Sequence, residues 1–443
     1  MRKSQRHQHL RLRRILFRLN PELSEAVLSV RKSGGFFDLT PTWSSLLLRG
    51  PDAESFLQAI ITQNTAALEP GSFRAGAILD KKSYLQADFY FSVEVGGMRI
   101  LSRSTQIPRI RELLESYHFA EDVRIETAPA SEQIILFQGN ADPEWVNELS
   151  ASGLSHFSLD LSGDGGRIFF GESAALVSIR ELAGKNKISF CSDEVLDLLT
   201  LEAGLPIYSQ DTDASVMAME VWNYESFINF KKGCYPGQEI VARTYSQGEV
   251  RRRLFGLTCE AAVGWENLLG AKDFWVNGKK AGEVRRAAYS PTLKKMIALA
   301  YLPREMAYPG MDFEIEYEGK KHRVRVAKPP FYVKPSLAGS ARAAYEAGMS
   351  LYHQGEWQAA SKKFEESQKW LPAPDTCEAL ALTLERLGKT DESILWNQRF
   401  AELDPNAVMA RTNLSRLYMQ KGMSERAEKE QAKATALGFR LAA

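Results

Sequence analysis

From residue 230 to residue 243 the chain reads Phe-Lys-Lys-Gly-Cys-Tyr-Pro-Gly-Gln-Glu-Ile-Val-Ala-Arg, which sets a single thiol among lysines, glycines and a proline. The thiolate is the nucleophilic form of cysteine, and nearby cations favour it. Lys231 and Lys232 are placed to act on Cys234 in this way. Gly233, Pro236 and Gly237 are turn-forming residues that would hold Cys234 and Tyr235 in a tight, exposed loop. A helix starting near Gln238 and Glu239 adds its N-terminal dipole if that end points at the sulfur. A lone cysteine in a turn is equally compatible with inert packing, so the residues alone leave a working thiol and a structural turn both open.

The rest of the composition removes several other chemistries. The four cysteines, Cys191, Cys234, Cys259 and Cys377, form no Cys-x-x-Cys pair, which argues against a zinc ribbon and a disulfide scaffold and suits a reducing cytoplasm. Among the six histidines only His7 and His9 lie close together, without acids or cysteines beside them, so no intrinsic metal site is expected. Lysine plus arginine (56) nearly cancels aspartate plus glutamate (55), which leaves no overall field to gather nucleic acid or acidic lipid. No run approaches the roughly eighteen apolar residues of a membrane span. With 443 residues, 44% hydrophobic and 25% charged, the chain reads as an ordinary soluble protein of several domains.

The elements that must position the thiol fall into four stretches. Residues 1–35 open with seven basic residues before the first acid, Glu22, a composition shared by organellar presequences, which would place the chain in the mitochondrial matrix, and by solvated basic tails. Residues 36–250 alternate strands and helices. Ser45–Leu48, Tyr90–Val95, Val123–Thr127 and Gln133–Gln138 have strand character, while Pro51–Ile61, Pro143–Leu149 and Ser192–Gly204 have helical spacing, which predicts an α+β region. Residues 251–335 change to strand-length runs between glycine turns, at Leu254–Leu257, Phe274–Val276, Lys295–Tyr301, Phe313–Tyr317 and His322–Val326. That texture predicts a small antiparallel β-barrel. Pro329-Pro330 and Pro335 mark its end.

Residues 341–438 are helical and repeat. Gly355, Gly388 and Gly422 recur at intervals of 33 and 34 residues, each followed five residues on by Ala360, Ser393 or Ala427, and Pro372 and Pro405 share one phase. Gly348, Leu351, Ala360, Phe364 and Pro372 fit the small and large positions of a tetratricopeptide repeat, although Asn397 stands where an aromatic is expected. Three such repeats are predicted, as an arm that binds a protein partner.

Lys232–Glu239 resembles the signature of the YgfZ family, which is related to the glycine-cleavage T-protein and to factors that mature iron–sulfur enzymes. The resemblance extends over Leu46–Ser102, Leu201-Glu202-Ala203-Gly204, Gly278–Val284, Ile297–Leu302 and Pro330-Phe331, and so spans about residues 36–335. It implies a T-protein-like ring of α+β domains with a β-barrel, a tetrahydrofolate-type ligand in the central channel, and iron–sulfur client or assembly proteins as partners. The repeats lie outside that pattern.

Under this resemblance Glu202 is the candidate acceptor for the pterin N–H groups, since a buried carboxylate can take two of them. Arg243 is the candidate for the glutamyl carboxylate or for a structural ion pair. Tyr235 joins the ligand-binding set. Asp88 carries the alternative function, aminomethyl transfer to tetrahydrofolate, because T-proteins end the turn matching Lys82–Asp88 with paired acids where this chain has Ala87-Asp88. Its other role is a turn or ion-pair acid. A third reading is a non-catalytic scaffold that docks clients through the repeats. Cys234 with Lys232 remains the expected working pair.

Overall fold

The computed structural model describes residues 21–66, 68, 71–139, 149, 154–174, 176–247, 250–259, 273–276, 279–307, 309–317, 320–404 and 406–442. The basic segment before Pro21, most of the helix expected over Pro143–Leu149, and Pro405 lie outside these residues. The chain divides into two compact units, Met1–Tyr332 and Val333–Ala443.

The first unit begins with α1 (Pro21–Ser33), β1 (Gly35–Asp38), β2 (Trp43–Arg49) and α2 (Ala53–Ile60). Strands β3 (Arg74–Leu79), β4 (Leu85–Glu94) and β5 (Gly97–Arg103), helix α3 (Ile107–Ser116) and strand β6 (Arg124–Thr127) complete a five-stranded sheet of order β3-β4-β5-β2-β6. Successive strand residues face opposite sides. On β4, Ala87, Phe89 and Phe91 therefore bury against Phe56, Leu57 and Ile60 of α2 and Ile110 and Leu114 of α3. Asp88 and Tyr90 face the other way, and this alternation is what points Asp88 into the interior between the layers.

The second sheet has the order β10-β1-β7-β9-β8, with β7 (Glu132–Gln138), β8 (Ser155–Ser158), β9 (Gly166–Glu172) and the short β10 (Phe190–Cys191). Helix α4 (Leu176–Asn186) covers one of its faces through Ile179 and Leu182. Helix α5 (Asp193–Glu202) lies in the main core, where Leu196, Leu199 and Leu201 meet Phe37 and Leu136 of this sheet and Ala77 and Leu101 of the first. Helix α6 (Gln238–Gln247) follows the thiol turn, as the sequence predicts.

The expected barrel is present and closed. Its strands β11 (Arg252–Cys259), β12 (Asp273–Val276), β13 (Lys279–Ser290), β14 (Lys295–Pro303), β15 (Asp312–Tyr317) and β16 (Lys320–Ala327) run in the order β11-β14-β13-β12-β15-β16. A register shift between Val284 and Arg286 on β13 marks a bulge, which re-aims consecutive side chains. Arg285 reaches Asp213 at 2.6 Å and Arg286 reaches Asp211 at 3.0 Å, so both barrel arginines grip the same loop.

The second unit is a helical arm of α7 (Pro335–His353), α8 (Trp357–Trp370), α9 (Pro374–Arg386), α10 (Thr390–Leu403), α11 (Val408–Gln420) and α12 (Ser424–Ala442). Its first helix starts at Pro335, six residues before the expected Ala341, because proline is well suited to the first helical turn. Gly355, Gly388 and Gly422 all adopt positive φ at the turns, of 80°, 73° and 72°. A side chain at Gly348 would meet the Phe364 ring at 2.6 Å, so glycine there lets α7 and α8 close up. The buried Asn397 is satisfied, donating to the Ser393 carbonyl and accepting from Asn413.

Candidate ligand cavity and thiol turn

Between the first sheet and α5 lies a cavity of about 370 Å³, a volume in the lower part of the range of small-molecule sites. Its sheet side carries Trp43, Asp88, Tyr90 and Arg103, and its opposite side is made by α5, the 205–212 loop and the 221–227 segment. Trp43 and Tyr90 stack at 6.2 Å, which gives one wall an aromatic face.

Asp88 is the chemically distinctive group there. Its carboxyl has no hydrogen bond or ion pair with any described residue. Burial, and then the neighbouring Asp211, push its pKa up to about 7, while Arg103 pulls the other way. Arg103 is itself engaged, donating to Asp197 at 2.7 Å. An acid that titrates near neutrality inside a cavity can donate or accept a hydrogen bond. The sequence suggested that Asp88 ends a turn, but the turn is Asp80–Tyr84, where the Asp80 carboxylate accepts from the Lys82 and Tyr84 amides. Asp88 sits inside β4 instead.

The facing loop is held from two sides. The Tyr208 hydroxyl donates to the Gln86 carbonyl at 2.9 Å on β4, and Asp211 accepts from the Ile207 amide at 2.8 Å while pairing with Arg286. The barrel thus fixes one wall of the cavity.

The thiol turn is built separately and docks on the same sheet. Lys232 is buried, and its ammonium donates to the carbonyls of Gln58, Ile61 and Gln63, at the C-terminal end of α2 where such groups lack helical partners. Burial draws its pKa down to about 8. Its three donors are therefore spent on the backbone, which corrects the expectation that Lys232 shares the chemistry of Cys234. Gly237, at φ +80°, packs so tightly on the β3–β4 turn that a side chain there would come within 2.5 Å of the Asp80 carbonyl. Cys234 itself is exposed, as is Gly233.

The structure places three other candidates away from this cavity. Glu202 is fully buried but does not line the cavity. It accepts from Arg31 at 2.7 and 3.2 Å, from Ser290 and from Thr292, which fills its acceptor positions with protein donors. Tyr235 is buried beneath the turn, with the Lys232 ammonium 5.2 Å from its ring centre, and also lies off the cavity wall. Arg243 is exposed on α6 and is likewise absent from the wall. Of the candidates named from sequence, Asp88 alone faces the cavity. Gln238 and Glu239 begin α6 and Pro236 is half-buried in the turn, so the motif residues have mainly structural roles around Cys234.

Sequence reasoning missed Trp43, Tyr90, Arg103, Thr212 and Asn223, which complete the wall. The alternation of β4 could have paired Tyr90 with Asp88. Nothing in the spacing of Thr212 or Asn223 announces a site. Among the described residues no group of three or more His, Cys, Asp or Glu is placed to hold a metal ion. No described helix is long and apolar enough to cross a membrane.

Known proteins match this architecture. A family model of the glycine cleavage T-protein C-terminal barrel domain matches residues 252–332. An aminomethyltransferase of Picosynechococcus is 27% identical over 328 residues, covering 69% of this chain and 88% of the relative. An aminomethyltransferase of Aquifex aeolicus is 26% identical over 337 residues, covering 70% and 88%. The crystal structure of the glycine cleavage system aminomethyltransferase T from Bartonella henselae superposes with a TM-score of 0.60 at 18% identity, covering 70% of this chain and 90% of that one. The body of this chain therefore has the aminomethyltransferase T-protein fold, closed by the T-protein C-terminal barrel, and a helical arm follows it.

Proposed function

We propose that this chain is a folate-binding accessory protein for iron–sulfur enzymes, with a tetrahydrofolate-type ligand in the Asp88 cavity and Cys234 as the working thiol. The observation that carries this reading is the pairing of a cavity with an exposed cysteine whose turn is fastened to the end of α2 by Lys232 and packed on the β3–β4 turn by Gly237. A pterin has a flat ring and an edge of N–H donors. The cavity supplies an aromatic wall and the partner-free Asp88 carboxyl, so its lining suits such a ligand. When bound, the folate supplies a nitrogen carrier for one-carbon groups. Asp88 orients that ligand and holds or releases a proton at its carboxyl, while the Trp43 and Tyr90 wall excludes water.

The arm extends this reading. Its glycine-punctuated helix pairs fit tetratricopeptide repeats, and in this proposal they dock an iron–sulfur client or assembly protein.

Aminomethyl transfer is the second reading. It is favoured by the names of the relatives and by an acid poised near neutrality in the cavity. Titration with 5-formyltetrahydrofolate, followed by calorimetry and melting temperature, tests the ligand. Saturable binding weakened by Asp88→Ala supports the proposal. No binding by a folded protein overturns it in favour of a docking scaffold.

A further inference from the structure

Strand β4 sends two polar side chains to the cavity from alternate positions, Asp88 and Tyr90. The Tyr90 ring stacks on Trp43, a contact that uses the ring and leaves the hydroxyl unspent. That hydroxyl has no hydrogen bond with any described residue. Unlike Thr212 Oγ1 and Asn223 Oδ1, which are buried without partners, it keeps accessible surface. The charged groups close enough to act on it, Asp88, Arg103 and Asp160, all line the cavity, so the open oxygen faces that space. The Tyr208 hydroxyl on the facing loop shows the contrast, because its proton is already given to the Gln86 carbonyl at 2.9 Å.

We infer that Tyr90 is a specificity-determining residue, whose hydroxyl donates a hydrogen bond to an acceptor oxygen or nitrogen of the cavity's ligand. Burial first, and then the neighbouring Asp88, raise its pKa above the ordinary 10, while Arg103 pulls the other way. The phenol therefore stays protonated at neutral pH and has a proton to give. Stacking on Trp43 sets the ring before a ligand arrives, which lowers the ordering cost of binding. Asp88 and Tyr90 lie on one strand face with Cα atoms about 6.6 Å apart, so a single ligand can meet both. Their chemistry is complementary: the Asp88 carboxylate accepts from N–H groups, and the phenol donates to a carbonyl or carboxylate. A ligand without an acceptor at that place would cover the hydroxyl and leave it unpaired, which selects against it. The inference rests on the folate reading of the cavity.

The test uses the full chain, 5-formyltetrahydrofolate as the probe, and Tyr90→Phe, which removes the hydroxyl and keeps the stacked ring. The variant is expected to bind the probe about tenfold or more weakly, since one hydrogen bond to the ligand is lost. Without ligand it should melt at the wild-type temperature, because the hydroxyl has no protein partner to lose. A hydroxyl with a structural role would lower the ligand-free melting temperature instead. Affinity that is unchanged or tighter, or a clear loss of ligand-free stability, overturns the inference while leaving the folate reading intact. Absence of binding by the wild-type protein overturns the folate reading, and the inference with it.

Discussion

Glu202 and Arg31 form a buried ion pair, with Arg31 Nη2 2.7 Å from Glu202 Oε2 and side-chain exposures of 0% and 7%. The same guanidinium reaches Asp164 at 2.6 Å and lies 3.6 Å over the Tyr332 ring, whose hydroxyl donates to Asp164 at 2.9 Å. Glu202 therefore ties α1, α5, the barrel's Ser290 and Thr292, and the end of the first unit into one network. Removing one member of a buried pair strands the other's charge, so Glu202→Gln is expected to cost roughly 3–5 kcal/mol in urea unfolding. The folded fraction should keep its folate affinity. Wild-type stability with abolished binding would restore Glu202 as a ligand residue.

Asp88 gives a pH signature. Burial and Asp211 hold its folded pKa at about 7, above the ordinary 3.8. Between these values the folded chain binds the proton and the unfolded chain does not, so this residue's contribution to stability falls as pH rises through that window and levels off above about 7. Asp88→Asn removes the titration. Its melting temperature relative to wild type should climb between pH 4 and pH 7 and then stay constant. A difference that does not change with pH would contradict the raised pKa of Asp88.

Lys232→Met tests the fastening of the thiol turn. The variant leaves the Gln58, Ile61 and Gln63 carbonyls without their shared donor, so a loss of about 2–4 kcal/mol in chemical unfolding is expected. Because Lys232 belongs to the packing, the defect should appear in stability before it appears in thiol reactivity. A stable variant with a slowed alkylation rate at Cys234 would return Lys232 to the chemistry.

The sequence made the architecture legible because it depends on local patterns. Glycine-punctuated strand runs at Leu254–Leu257 and Lys295–Tyr301 marked the barrel, and the spacing of Gly355, Gly388 and Gly422 marked the arm. The site was less legible because it depends on which residues the fold brings together. Asp88 was found, but its neighbours Thr212 and Asn223 lie more than a hundred residues away, in segments without motif character. Glu202 is a related case: a buried carboxylate near a glycine cap looks the same in sequence whether its partner is a ligand or Arg31, and here Arg31 is bound to it. Lys232 stands beside Cys234 in the chain, yet its reach of four methylenes takes it to α2.

The central claim is that Cys234 acts as an exposed thiol in the service of iron–sulfur enzymes, and the most direct measurement is rescue of a strain lacking this gene by Cys234→Ser. Cys234 is exposed, while Cys259 and Cys377 are buried and burial pushes the Cys191 thiol up. The variant should therefore keep the wild-type melting temperature and folate affinity. Cluster-enzyme activity and glycine cleavage are assayed side by side in the rescued strain. The account predicts that Cys234→Ser fails to restore cluster-enzyme activity and that glycine cleavage is unaffected by the gene's absence. Full restoration by Cys234→Ser, or a glycine-cleavage defect in the strain, would contradict it.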